Sequence, residues 1–247
     1  MPDSRHPRAL RYVVLYGSGW PLYALNPLAD RIRRPWWASA LTTPRRYRPG
    51  LFPVPTESIV HKRADAVWPD TIKMWPSLIA WGRWDQVPTM ARSWETPHIH
   101  AVLEGQDYRS LPVYETLREE QARTGTTYLK NLKSPDQIDA YFQQIPKLAE
   151  SIRRDGIRPG REFGSKEIQV RIARDGTLLK CGEGTHRLAI ARAVGIEQVP
   201  VEVELCHASW ARQVMQRYSA PFPTALAQWF ADPVHGPTVR RGVDTTC

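Results

Sequence analysis

One short stretch carries most of the chemistry this sequence can offer: Gly182-Glu183-Gly184-Thr185-His186-Arg187, at what the surrounding pattern predicts to be a strand-to-helix junction. Glycine lets the backbone approach a ligand closely. The N–H groups that open a helix point at whatever sits before it, and the helix dipole favours negative charge there. Arg187 adds a planar, permanently charged fork suited to phosphate. His186 can donate, accept or shuttle a proton near neutral pH. Glu183 is a carboxylate beside this cationic site, fit either to hold a magnesium ion bridging phosphates or to accept a hydroxyl proton. Spacing alone fits equally a plain turn in which Thr185 caps the helix and His186 packs in the core.

Other residues offer less specific chemistry. Asp85, directly after Trp84, suits a general base, a metal carboxylate or the cap of a loop. Glu57 is a second candidate base. Glu167 opens a strand, where pairing with a lysine is its plainest role. Trp84 and His207 are candidates to touch an acceptor substrate, with helix capping the alternative for His207. His98 and His100, two apart in what reads as a Pro-led strand, lack the third ligand a metal would ask for. Cys181, Cys206 and Cys247 are odd in number and form no CxxC pair, which argues against a disulfide framework and a structural zinc site. A reducing, cytoplasmic compartment is the corresponding expectation.

Periodicity predicts the elements that must hold these groups. Leu51 to Lys62 reads as an entering strand. Residues 68–97, with Trp68, Trp75, Trp81, Trp84 and Trp94, read as an ordered loop region, because so much aromatic area needs burial. A helix is expected from about Tyr108 to Arg123. Another runs from a Ser134 cap through Pro135 and Asp136 to a stop at Gly156, kinked or broken at Pro146. Ile168, Val170 and Ile172 alternate with polar residues as a half-buried strand. Asp175-Gly176 turns it into a hairpin with Leu178 to Cys181. A helix over Thr185–Val194 stopped by Gly195, a strand with Val199, Val201, Val203 and Leu205, and a last helix from His207 to Tyr218 complete an α+β unit with a mixed sheet.

The segment from Lys166 to Leu179, then Gly-Glu-Gly-Thr-His-Arg-Leu-Ala-Ile-Ala-Arg-Ala-Val-Gly-Ile, then Val-Pro-Val-Glu-Val ending at Val203, resembles the ParB/sulfiredoxin superfamily. The resemblance covers roughly residues 155–215. Gly82-Arg83-Trp84-Asp85, Leu103-Glu104-Gly105 with Tyr114-Glu115, and Cys206-His207-Ala208-Ser209-Trp210 resemble an uncharacterised ParB-like group, with Val54 to Ile59 in the place of the first core strand. The resemblance implies nucleotide phosphates held at Gly182, Gly184, Thr185, His186 and Arg187. Members of that superfamily hydrolyse CTP and clamp DNA, repair a sulfinic acid with ATP, or phosphorylate free serine. Thr185 stands where sulfiredoxin carries its reactive cysteine, and only 37 residues follow Trp210, which leaves no expected room for the helix-turn-helix DNA reader of the partitioning proteins. The kinase-like reading survives, with Glu183 where those kinases have Asp.

Charge adds one further expectation. Residues 1–63 hold eleven Lys/Arg against three Asp/Glu, so this quarter carries +8 of the net +9. A basic arm beside a balanced domain suits a nucleic acid, lipid headgroups or another anionic polymer. No repeat, no low-complexity tract and no apolar run of about 20 residues is present. The apolar stretch at residues 12–25 is broken by Gly17, Gly19 and Pro21, and no small-x-small cleavage site follows it. The sequence therefore predicts a basic extension at 1–51, a ParB/sulfiredoxin-like α+β domain at 52–215 and a tail at 216–247. The expected activity is a phosphotransferase using ATP or another nucleotide with Mg2+ on a small hydroxyl metabolite or sugar. Glu183, His186, Asp85 and Glu57 are the expected catalytic groups, and Glu183 also the metal ligand. A nucleic-acid-binding protein or nuclease, or a nucleotide-switched clamp, is the alternative.

Overall fold

The computed structural model describes residues 50–63, 65–73, 75–93, 96–158 and 167–238. Nearly all of the basic extension expected at 1–51 lies outside them. The predicted first strand is two: β1 (Leu51–Pro55) and β2 (Ile59–Lys62), split by a 3-10 turn over Thr56–Ser58. The Trp-rich stretch holds a single helical turn, α1 (Asp70–Lys73), and two-residue strands β3 (Ile79–Ala80) and β4 (Thr89–Met90). Helices α2 (Thr96–Leu103), α3 (Pro112–Thr124) and α4 (Pro135–Asp155) follow. Then come β5 (Ile168–Ile172), β6 (Leu178–Lys180), α5 (Thr185–Ala193), β7 (Gln198–His207), α6 (Ala208–Tyr218) and α7 (Phe222–Ala231).

One mixed sheet runs β1-β7-β5-β6-β2-β4, with β3 beside the far end of β7. β7 is antiparallel to β1 and parallel to β5; β5 and β6 form the predicted antiparallel hairpin; β6 is parallel to β2. Val170, Val201 and Val203 at its centre are fully buried. The main apolar core joins these strands to Ile99 of α2, Leu117 of α3, Phe142 of α4 and Leu188 of α5. A second cluster gathers Trp68, Ile72, Trp84, Leu179, Cys181 and Leu205. Burial of the tryptophans, the reason to expect order in that loop, holds for Trp68 and Trp84.

Two sequence expectations change. α4 is a continuous 21-residue helix in which Pro146 lies inside rather than at a break. Its Ile138, Phe142, Ile145 and Ile152 are buried. Each such side chain contributes about 1.5–3 kcal/mol on burial, so four together exceed the roughly 3 kcal/mol an internal proline costs. The expected tail beyond 215 contains α7. Its Phe222, Leu226, Trp229 and Phe230 are buried; Phe230 stacks on Phe52 of β1 at 4.0 Å, and Trp229 meets Trp210 of α6 at 4.9 Å. Pro221 and Pro223 sit at the start of this helix, where a missing N–H is harmless, and Pro233 and Pro237 follow its end. No described helix is long and apolar enough to cross a membrane.

Candidate functional site

The hairpin β5–β6 has two ends, and the candidate residues divide between them. Gln169 marks one end: its Oε1 accepts from the Glu183 backbone N–H at 3.2 Å. Arg174 marks the other, where it binds Asp85. Four residues separate Gln169 from Arg174, at most about 16 Å of chain.

At the first end the corner from Gly182 to Thr185 turns β6 into α5. Gly182 (φ 47°) and Gly184 (φ 86°) are both left-handed, the region glycine enters without penalty. A Cβ on Gly184 would lie 2.6 Å from the Ile168 Cα, and one on Gly182 would collide with Gln169 Oε1. The Gln169 amide could move aside for the latter, but the Ile168 backbone could not, so only glycine at 184 lets this corner lie so close on β5. Gly182 and Glu183 are exposed, Gly184, Thr185 and His186 half-buried. Gly184 is the N-cap of α5 and brings no side chain to the first-turn N–H groups, so Thr185 is the first helical residue rather than the expected cap.

The cationic half of the predicted site is arranged differently from expectation. Arg187 is 5% exposed, with Nη1 3.7 Å from Glu167 Oε2. It also borders a hollow of only about 10 Å³ beside Leu148 and Ile152. Its guanidinium is directed into the protein, so it supports α5 and does not front a ligand. Glu167 pairs with this arginine rather than with a lysine. His186 Nε2 lies 2.6 Å from the Tyr141 hydroxyl, and that hydroxyl lies 3.0 Å from His98 Nε2. Burial, with Lys130 and His98 adding repulsion, pushes the His186 pKa down to about 3; burial pushes His98 down to about 4. Both imidazoles are neutral near pH 7. His186 is therefore a fixed hydrogen-bonding group there rather than a proton shuttle or a phosphate-binding cation.

At the second end Asp85 is a knot. Its Oδ2 accepts from the Arg174 backbone N–H (2.9 Å) and Nε (2.8 Å), and its Oδ1 from Nη2 (2.7 Å). Burial alone would raise its carboxyl pKa, but the bonds from Arg174 outweigh that and hold it below the ordinary value. His207 packs 3.9 Å away. Its Nδ1 accepts from the Ser209 N–H as the cap of α6, which leaves Nε2–H to donate to the Gly82 carbonyl at 2.9 Å. Trp84 is 2% exposed and lies against the His207 ring at 5.9 Å. Trp84 and His207 are thus sealed side chains that tie loop 82–85 to β7, and the substrate-contact role expected of them has no surface to act from.

Glu57 also belongs to this half. Its Oε1 is 3.7 Å from Arg192 Nε, near the C-terminal end of α5, whereas Thr185 opens that helix. Glu57, Asp85 and Arg174 share a cleft of about 850 Å³ whose other walls include Trp210 and Arg217; none of residues 182–187 borders it. The four expected catalytic groups are not brought together: Glu183 and His186 lie at one end of the hairpin, Asp85 and Glu57 at the other.

The remaining candidates resolve simply. Cys181 is 4% exposed and burial pushes its thiol up to about 12, which suits a small core residue and not a nucleophile. His98 and His100 lie on α2, a helix rather than the expected strand. Among the described residues no three His, Cys, Asp or Glu side chains gather to hold a metal. A magnesium ion at a nucleotide needs only one or two carboxylates beside the phosphates, and exposed Glu183 next to the corner amides fits that donor set.

Two residues that sequence reasoning passed over sit at the corner. Tyr141 lies inside the helix expected over 134–156, and its pairing with His186 has no local signal in the sequence. Lys180 read as a strand residue; in the fold it is 4% exposed with Nζ under the corner. No known protein family matches this chain, and neither a curated protein nor a solved structure is similar to it.

Proposed function

We propose that this protein binds a nucleotide of the ATP type by its terminal phosphates at the Gly182–Thr185 corner and transfers a phosphoryl group to a small hydroxyl-bearing metabolite or sugar. The observation that carries the reading is the corner itself: two left-handed glycines, of which Gly184 is pressed on the β5 backbone too closely for any other residue, lead an exposed turn into a helix start that no side chain caps. Amides so placed favour phosphate. Catalysis of this class is mostly positioning and charge stabilisation, so backbone amides suffice for much of it.

In this reading the amides at the start of α5 bind and orient the phosphates. Glu183, exposed beside them, accepts the proton of the acceptor hydroxyl or holds the metal. His186, fixed by Tyr141, supplies a neutral hydrogen bond. A bound Mg2+ would neutralise phosphate charge at Glu183. Asp85, Glu57, Trp84 and His207 have no part in it, and Arg187 acts from beneath.

The test is calorimetry and thermal unfolding of the full chain with ATP, CTP and GTP, with and without Mg2+. Ligand at a hundred times its Kd stabilises the folded state by about 2.7 kcal/mol. One nucleotide is expected to do so, and Glu183→Gln to lose the magnesium-dependent part of the gain. If no nucleotide raises the melting temperature, the proposal is wrong.

A further inference from the structure

Lys180 is the last residue of β6 and is 4% exposed. Its Nζ donates to three successive backbone carbonyls: Cys181 at 2.5 Å, Gly182 at 3.3 Å and Glu183 at 2.5 Å. A buried ammonium is expensive unless it is well bonded, so its presence here calls for a role. A trans peptide holds its C=O and its N–H on opposite sides. By drawing these three carbonyls inward, the last of them together with the Gln169 N–H at 3.2 Å, Lys180 turns the amides of Gly182, Glu183 and Gly184 the other way. The Glu183 amide is taken by Gln169 Oε1. Those of Gly182 and Gly184 face away from Lys180, and left-handed Gly184 is followed by right-handed helical Thr185. That alternation is the backbone concavity that accepts anions.

We infer that Lys180 is the positioning residue of this site: its buried ammonium pins the corner carbonyls, aims the glycine amides at the phosphates of a nucleotide, and adds a fixed positive charge behind them. The inference rests on the phosphate-binding reading above and deepens it. The side chain does not touch the ligand. It acts through the backbone and through its field, which a low-dielectric interior screens weakly. Arg187 cannot substitute for it, being directed toward Glu167.

Full-length Lys180→Met and Lys180→Arg, with sodium tripolyphosphate as the probe, test this by calorimetry, with melting temperatures measured alongside. Lys180→Met keeps the stem and removes the charge. Tripolyphosphate is expected to bind it about tenfold more weakly, the effect of losing one weakly screened charge behind the amides and the bonds that aim them, while Lys180→Arg recovers most of the affinity. If folded Lys180→Met binds as tightly as the native chain, the inference is overturned and the nucleotide reading stands. If the native chain binds neither tripolyphosphate nor any nucleotide, the reading itself fails. Should Lys180→Met not fold, nitrogen-15 spectra of the native chain decide. The Gly182 and Gly184 amides and the Lys180 ammonium are expected to shift together on adding tripolyphosphate. Amide shifts with a silent ammonium, or an unmoved corner, overturn it.

Discussion

The two ends of the β5–β6 hairpin look alike in sequence and are opposites in structure. One end carries Asp85, Arg174, His207 and Trp84, residue types that crowd active sites. There the central groups meet one another within the fold: Asp85 takes three bonds from Arg174, and His207 uses both ring nitrogens on backbone. The other end offers two glycines, a glutamate and a helix start, and leaves them half-buried or exposed. Reactive residue types satisfied by one another hold a fold together. A site is better marked by directed polar groups facing outward, even when they are only backbone amides.

That contrast can be broken in several ways. The largest effect is expected from Gly184→Val, which places a branched Cβ at φ 86° and 2.6 Å from the Ile168 Cα. A loss of about 4 kcal/mol or more in urea unfolding should follow; a loss below about 1 kcal/mol would mean that the corner relaxes easily and has no need of glycine. Asp85→Ala removes the acceptor of three bonds from the partly exposed Arg174 and should cost about 1–2 kcal/mol, while nucleotide affinity, measured where the variant is folded, stays within about twofold of native because the two sites share no partner. A large loss of affinity would unite the two ends and undo the comparison.

Acidity separates the ends by a different route. His61, His98 and His186 titrate at about 3, 4 and 3 in the folded chain, each lowered first by burial, against about 6.5 when unfolded. The unfolded chain takes up protons first as pH falls, so this stability is whole above pH 6.5 and declines toward pH 4. The slope is up to about 1.4 kcal/mol per pH unit for each histidine. The Asp85 contribution has the opposite origin: a lowered carboxyl is lost only below its unfolded value of 3.8. Urea midpoints that stay flat from pH 7 to 5 would refute the buried histidines. Tyr141→Phe should remove about 1–2 kcal/mol by leaving the facing nitrogens of His98 and His186 without their shared hydroxyl. The smallest change belongs to Glu183→Gln: within about 0.5 kcal/mol in stability, as for other exposed substitutions, with the magnesium dependence of nucleotide binding lost.

Much of the fold could be read in advance where the signal is local. The hairpin at Asp175-Gly176, the capping Ser134, the Gly195 stop after α5 and the alternation in β7 all follow from neighbouring residues and appear as expected. α7 did not, because its apolar residues make sense only against Phe52, far away in sequence, and Trp210 of the neighbouring helix. The same limit applied to the site. The glycines of the corner were visible as a pattern, and so was the negative preference of a helix start. The direction in which Arg187 points was not visible.

What the sequence determined by itself was the set of short-range choices: where the chain turns, where helices begin and stop, and which corner only glycine can make. These depend on φ, on capping and on periodicity within a few residues. Tertiary structure alone decided which charges face a ligand and which face one another. Asp85 meets Arg174 across 89 positions, and Tyr141 meets His186 across 45. A side chain's availability depends on the partner that packing delivers to it, and that partner is set by the whole sheet rather than by any neighbouring segment.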